Sequence, residues 1–375
     1  MNTEVMKKVI SLFLFVAICS FTLSSQNTSI EFCVYNEADR SGIFEADVFV
    51  GNSTFSTKTG VRGACVLTFP IASFEDIIVY KKGFKPAILP RKKYNSLQLT
   101  DSIFLTPLEK PLRALSKSQK KKTKWNKKYK QFKKGFLGEG KAAAQCKILN
   151  PEILRFKQKK EAFEATAHGL LIIRNEHLGY NIHYLLHEFV SRADGSMVYR
   201  GSGKFEEIET LVAKPRVQEI RQKTYKESPT HFYYHLIRGT LDEAGYEINI
   251  VQIQNNQFKH IVTPEPENII TYDSISSVYN VKFPEFLQIT NRNVDLVDLQ
   301  NSEVVSGEVD FRRISDKRVG ATKNDTFAKS QIYKLSNALK LLEDGNLLNS
   351  LEVQEFGFWA DQRMAKSMPV NFSLH

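Results

Sequence analysis

Ser29-Ile-Glu-Phe-Cys-Val-Tyr35 places apolar side chains at every second position, the period of a strand with one face in a core. Outward from it, Ala46-Asp-Val-Phe-Val50 repeats the alternation, Gly51-Asn52 supplies a turn, and Cys65, Leu67 and Phe69 alternate after Gly63. Ile77-Ile-Val-Tyr80 reads as a further strand before a Lys81-Lys-Gly83 turn, and Ile103-Phe-Leu105 closes the run. Short strands at this spacing predict a small β-sandwich over residues 28–108. Strand parity points Cys33 away from that core and Cys65 into it, which argues against a disulfide between them.

The order Ile30-x-Phe-x-Val34, Ala46-x-Val-x-Val50, a turn from Thr57 to Gly63 into Cys65-x-Leu67, then Tyr80-x-x-Gly-Phe84 resembles the carboxypeptidase regulatory-like domain. That family is a transthyretin-like, seven-stranded sandwich. The sequence departs from it at Lys58, where an acidic residue usually follows the turn threonine. The resemblance implies a fold that stands beside the catalytic unit of some metallocarboxypeptidases, with no peptidase activity of its own.

Ten lysines lie between Lys117 and Lys134 with no acidic residue among them, and they account for most of the net charge of +11. In the same stretch Trp125, Tyr129, Phe132 and Phe136 recur every three or four positions, which is one face of a helix. Residues 109–140 are therefore predicted to form a lysine-rich helical connector. Its four aromatics are candidates for packing between the two halves of the chain. Lys121, Lys124, Lys127 and Lys128 are candidates for contact with a partner, either an envelope protein or an anionic envelope surface. Nucleic acid is disfavoured for a chain that is exported. Gly135-x-x-x-x-Gly-Lys141 falls one residue short of a phosphate-binding loop. Ala142 stands where magnesium needs a Ser or Thr, and a lysine-rich helix precedes the glycines where a buried strand belongs.

Residues 141–375 read as a larger antiparallel β domain with inserted helices. Strands are predicted at 163–174, 180–190 and 197–205, with turns at 175–179 and 193–195. Pro215 opens a helix reaching Tyr225, and Ser228-Pro229 caps a second, with Tyr233, Leu236, Ile237, Leu241 and Ala244 on one side and Gly245 at its end. Strands resume at 246–253, 277–283, 286–290, 331–335 and 351–356, before a short helix at 359–366. Phe136-Leu-Gly138 with Cys146-Lys-Ile-Leu-Asn-Pro151, Leu178-Gly-Tyr180, Ser228 with His231-Phe232, Leu241 with Gly245-Tyr246, and Trp359 to Pro369 are similar to the segment that follows this sandwich in a group of bacterial envelope proteins. Those are described only as carboxypeptidase-like regulatory domain-containing. The resemblance implies secretion and a two-part architecture, and brings no catalytic residue with it.

None of the eight histidines has Glu three residues on, so the His-x-x-Glu zinc pair of a metallocarboxypeptidase is missing. His187-Glu188 begins a His-Glu-x-x-His pattern, but Ser191 replaces the second ligand. His183 and His187 fall on a predicted strand, about 13 Å apart and too far to share a metal. His231 and His235 share a helix side opposite the apolar stripe, beside Arg238, and read as solvated imidazoles. Glu206, Glu207 and Glu209 read as surface charge, and Gly201-Ser-Gly203 as a tight turn or bulge and no nucleophile elbow. No catalytic, metal-binding or cofactor-binding residue is assigned, and no cofactor is expected.

Upstream of the sandwich, Lys7-Lys8 and the apolar run Val9 to Leu23 ahead of Ser24-Ser25 predict a secretory signal peptide over residues 1–25. Cys19 would suit a lipid anchor only with a small residue before it, and Ile18 is bulky. No other stretch is apolar enough to span a bilayer as a helix. The remaining cysteines, Cys33, Cys65 and Cys146, form no disulfide framework. Asn27, Asn52, Asn324 and Asn371 begin glycosylation sequons. Together these readings predict a mainly β, or β-rich α+β, protein exported to the periplasm or to the cell surface and outer membrane of a bacterium. Its expected role is non-enzymatic binding or scaffolding. The alternatives are a hydrolase of peptides or glycans with its site in 141–375, and an outer-membrane barrel in the second half, which the inserted helices disfavour.

Overall fold

The computed structural model describes residues 27–70, 75–90, 100–108, 123–193, 197–254, 257–295, 327–348 and 352–374. The predicted leader, Lys121 and Asn324 lie outside them. The protein is mostly β, with few helices.

Seven strands make the sandwich: β1 (Asn27–Asn36), β2 (Asp47–Val50), β3 (Ser56–Lys58), β4 (Ala64–Pro70), β5 (Ile77–Tyr80), β6 (Ala87–Leu89) and β7 (Thr100–Leu105). They form two sheets, β4-β1-β7 and β3-β2-β5-β6. The alternation in β1 and β4 does what its period requires. Ile30, Phe32, Val34, Leu67 and Phe69 meet Val48, Val50, Ile77 and Val79 in one core, each large side chain contributing about 1.5–3 kcal/mol on burial. Cys65 is buried and Cys33 only partly, and neither is bridged. The predicted turn from Thr57 to Gly63 begins later than expected, because Ser56–Lys58 pairs with Asp47–Phe49 as an edge strand. β3 and β6, at three residues each, are too short to carry a period.

The middle of the chain contains α1 (Thr123–Leu137), α2 (Gly140–Ala144), β8 (Cys146–Ile148), β9 (Leu154–Gln158), β10 (Ala162–Ala167), β11 (Leu171–Asn175), β12 (Tyr180–Arg192) and β13 (Met197–Glu207). Its sheet has the order β8-β11-β12-β10-β9, with β13 on the other side of β12. The expected single strand over 163–174 is two strands, interrupted at Gly169. There φ is +125° and a Cβ would stand 2.7 Å from the Tyr80 hydroxyl of the sandwich, so glycine is required on both counts.

The last third holds α3 (Glu209–Val212), α4 (Pro215–Lys226), α5 (Pro229–Leu236), β14 (Tyr246–Gln254), β15 (Gln257–Val262), α6 (Pro266–Ile269), β16 (Ile270–Asp273), β17 (Val278–Val281), β18 (Phe286–Asp295), β19 (Phe327–Lys334), β20 (Leu339–Leu341) and β21 (Val353–Gly357). The sheets are β15-β14-β18-β19-β21 and β16-β17-β20. α5 lays Phe232, Tyr233 and Leu236 on Ile248, Ile289 and Ile332, and Trp359 completes this core. Ser228 caps α5 as expected, its hydroxyl accepting from the His231 amide at 3.2 Å. The helix ends at Leu236, earlier than predicted. Gly239, at φ +67°, turns the chain, and Gly245, at φ +78°, lies immediately before β14. The helix expected at 359–366 is two separate 3-10 turns, Trp359–Asp361 and Met364–Lys366. No helix among the described residues is long and apolar enough to cross a membrane.

Candidate functional site

The middle sheet has two covered faces, and the candidate residues divide between them. On one face lies α1. Trp125 stacks on Tyr129 at 5.2 Å and meets Phe156 at 5.7 Å. Phe132 packs edge-on against Phe189 at 4.8 Å, and Phe136 meets Tyr184 and Tyr199 at 5.4 Å each. Phe132 and Phe136 are fully buried. Gly135 allows this approach, since a Cβ there would be 2.9 Å from the Phe189 ring. Gly138, at φ +91°, ends the helix with its amide donating to the Lys134 carbonyl. Gly135 of the near-phosphate loop is therefore a close-packing position, Gly138 inside the loop a helix cap, and Gly140, the second glycine of the pattern, the first residue of α2.

The place assigned from sequence to these four aromatics, between the two halves, is occupied by other residues. The rings pack on β9, β12 and β13, on the face away from the sandwich. Their water side is basic: Lys124, Lys127, Lys130 and Lys134 are exposed and Lys128 is half-buried. Lys134 pairs with Glu139 at 2.9 Å, whereas Lys124, Lys127 and Lys128 form no ion pair among the described residues.

On the opposite face the sandwich docks. Phe49 and Ile78, paired across β2 and β5, bury their outward side chains against Leu170 and Leu185. Ser53 bridges to Lys204, and the Phe205 amide donates to the Ser53 carbonyl at 2.9 Å. At the centre Lys204, 2% exposed, donates to Asp47 and Glu206, each at 2.7 Å. Burial alone would lower the Lys204 pKa, but its hydrogen bonds and the two carboxylate charges outweigh that and raise it. The His183 ring, 3.1 Å from Glu206, is the leading cause that holds that carboxyl down at about 2, with Lys204 adding to it. Asn52, at φ +53°, is a polar junction. It donates to Glu75, accepts from the Gly203 amide at 3.0 Å, and its carbonyl accepts from the Val370 amide. Burial pushes the Glu75 carboxyl up to about 7, and the charge of Asp76 adds to the rise. Asn371, another sequon residue, exchanges two hydrogen bonds with Thr54. Two sequon side chains are thus used in holding the chain together.

Five of the histidines, His183, His187, His231, His235 and His260, have side-chain hydrogen-bond partners. His187 sits at the β-bulge of β12 and reaches Ser202 at 3.3 Å, but Ser202 lies within a strand and not on a strand-to-helix elbow. His231 is the clear correction to the sequence reading. It is buried, and its Nδ1 donates at 2.8 Å to the Tyr246 hydroxyl, which in turn donates to the Lys226 carbonyl. His235 bonds Thr240 at 2.8 Å. Arg221, 2% exposed, is also fully engaged, on Leu178, Gly179, Glu207 and the Tyr180 ring.

The seam residues Asp47, Asn52, Lys204 and Glu206 escaped sequence reasoning. A signal was available in Phe49 and Ile78, apolar at positions whose neighbours already fill the sandwich core, because strands buried on both faces read as apolar runs. No known family model matches this chain, and no curated protein matches it.

Proposed function

We propose that this chain is an exported, non-enzymatic envelope protein that binds or scaffolds, using the lysine face of α1 as its contact surface. The observation that carries the reading is the combination within one helix. An aromatic face fixes α1 to the middle sheet, and Lys124, Lys127 and Lys128 on the rest of it form no ion pair among the described residues. Ammonium groups carried along one fixed helix attract a polyanionic surface, and the backbone beneath them needs no further ordering on contact. Export rests on the signal-peptide character of residues 1–25, and the regulatory-like type of the sandwich on its strand motifs.

The test replaces Lys121, Lys124, Lys127 and Lys128 together by Gln and follows retention on envelope fractions as salt is raised. The expected result is loss of salt-sensitive retention with an unchanged melting temperature. Retention equal to that of the unaltered protein would refute the assignment.

A further inference from the structure

The sandwich has two outer faces. The β3-β2-β5-β6 sheet turns its own toward the middle sheet, where Phe49 and Ile78 are buried. The β4-β1-β7 sheet turns its own to solvent, and a sheet face that meets only water ordinarily reads polar. Here the alternation that sends Phe32, Val34, Leu67 and Leu105 into the core sends Cys33, Tyr35, Val66 and Phe104 outward. Val66 stays 54% exposed and Phe104 42%, with Cys33 and Tyr35 part-exposed beside them and Ala64 and Ser102 exposed. An apolar patch held together across three strands is the kind of surface that marks a contact site, whereas apolar side chains scattered singly are ordinary.

Three rows cross this face in register. Ala64, Cys33 and Ser102 form the middle row, all small. Tyr35 and Phe104 form a bulkier row to one side, their rings stacked at 5.7 Å. Arg40 holds its guanidinium over the Phe104 ring, 4.5 Å from the centroid, and forms no ion pair among the described residues. Glu31 and Val66 form the row to the other side. Glu31 and Tyr35 each lie two residues, about 7 Å, from Cys33 along the strand, so an anionic end and a cationic end flank the small middle row at similar distances. Such a face complements itself. Turned over by a two-fold axis that runs along the middle row, it sets Glu31 of each copy against the Arg40 end of the other, and Cys33 against Cys33.

We propose that the outer face of the β4-β1-β7 sheet is an isologous contact through which two copies of this chain pair, on a two-fold axis that crosses β1 at Cys33. The apolar side chains supply the attraction, and the two Glu31–Arg40 pairs set the direction. Pairing about an axis along β1 instead would set Glu31 against Glu31 and Arg40 against Arg40, and is disfavoured. Three strands of about seven residues give a face on the order of 300 Å². That is well below the roughly 800 Å² per partner of a standard interface, so the dimer is a weak one. The contact lies on the side of the sandwich away from the middle sheet, and it does not depend on the lysine face of α1.

Sedimentation equilibrium of the full chain tests this, with a monomer–dimer dissociation constant expected on the order of 100 μM. Ala64→Glu should weaken pairing more than tenfold, because the axis places the two new carboxylates face to face. Glu31→Arg and Arg40→Glu should each weaken it about three- to tenfold. Combined in one chain they should restore it, which a merely structural effect would not do. Ile275→Lys, at an exposed isoleucine in the turn between β16 and β17, should leave it unchanged. A short bismaleimide added at dimer-forming concentration should yield a Cys33–Cys33 linked peptide in mass spectrometry. A monomer at every concentration, a dimer indifferent to Ala64→Glu, no recovery in the double exchange, or absence of the Cys33–Cys33 peptide would each overturn the proposal. Circular dichroism melts confirm that the variants compared are folded.

Discussion

On one face of the middle sheet α1 holds Lys124, Lys127 and Lys130 toward water with no carboxylate paired to them among the described residues, while on the other Lys204 is sealed between Asp47 and Glu206. The same ammonium group has different tasks in the two places. In water its charge contributes almost nothing to stability and remains available to a partner. Enclosed, it is costly to bury unless paired, and the pairing fixes how the sandwich lies on the sheet. The number of lysines in a segment therefore says little about which of them holds the fold together.

The strongest way to break this contrast is through the aromatic side of α1. Phe132→Ala should destabilise the protein by about 3–5 kcal/mol, read as a shift in the denaturation midpoint, with half-buried Trp125→Ala having a smaller effect. Indifference to Phe132→Ala would mean that α1 is not fixed to the sheet. Lys204→Met comes next. It leaves Asp47 and Glu206 facing each other without their cation. Because their side chains are 18% and 42% exposed, the expected loss is about 2 kcal/mol, below the 3–5 kcal/mol of a fully enclosed pair. A neutral or stabilising outcome would show that the seam does not depend on the Lys204 ion pairs.

A third test sharpens the comparison through pH. Glu75 has a folded pKa raised to about 7 from 4.5. Above 4.5 the unfolded chain releases that proton while the folded one keeps it, so stability falls as pH rises from 4.5 to 7 and is constant beyond. Glu206 runs the other way: its folded pKa of about 2 supplies stability above 4.5 that is lost as pH falls toward 2. Glu75→Gln should flatten the decline between pH 4.5 and 7 in a series of thermal melts, whereas Gln at Lys124 and Lys127 leaves the profile unchanged. An identical slope in Glu75→Gln would contradict the burial of that carboxyl.

Much of the fold was legible where a period is long enough to be read. β1 and β4 followed from alternation, and α1 from its aromatic spacing. Three-residue strands such as β3 and β8 were not, and the early end of α5 turned on Gly239 although apolar spacing continued to Leu241 and Ala244. Those two residues still join the core, but from a turn. The candidate lysines were visible because they are contiguous. The seam was not, because Asp47 and Lys204 are 157 positions apart and nothing local distinguishes a lysine that will be enclosed. The same holds for His231, whose partner Tyr246 lies 15 residues on, past the end of the helix.

The fastening of Thr54 by Asn371 spans 317 residues of chain. At a synthesis rate of about 5–20 residues per second, Thr54 is made on the order of 15–60 s before that partner exists. For the first part of that interval, until Leu170 and Leu185 have been made, Phe49 and Ile78 stand as an uncovered apolar patch. The order of assembly is thereby written into the chain, sandwich first and clasp last. A nascent protein of this kind is most vulnerable to misassociation not while it folds, but while a finished domain waits for its cover.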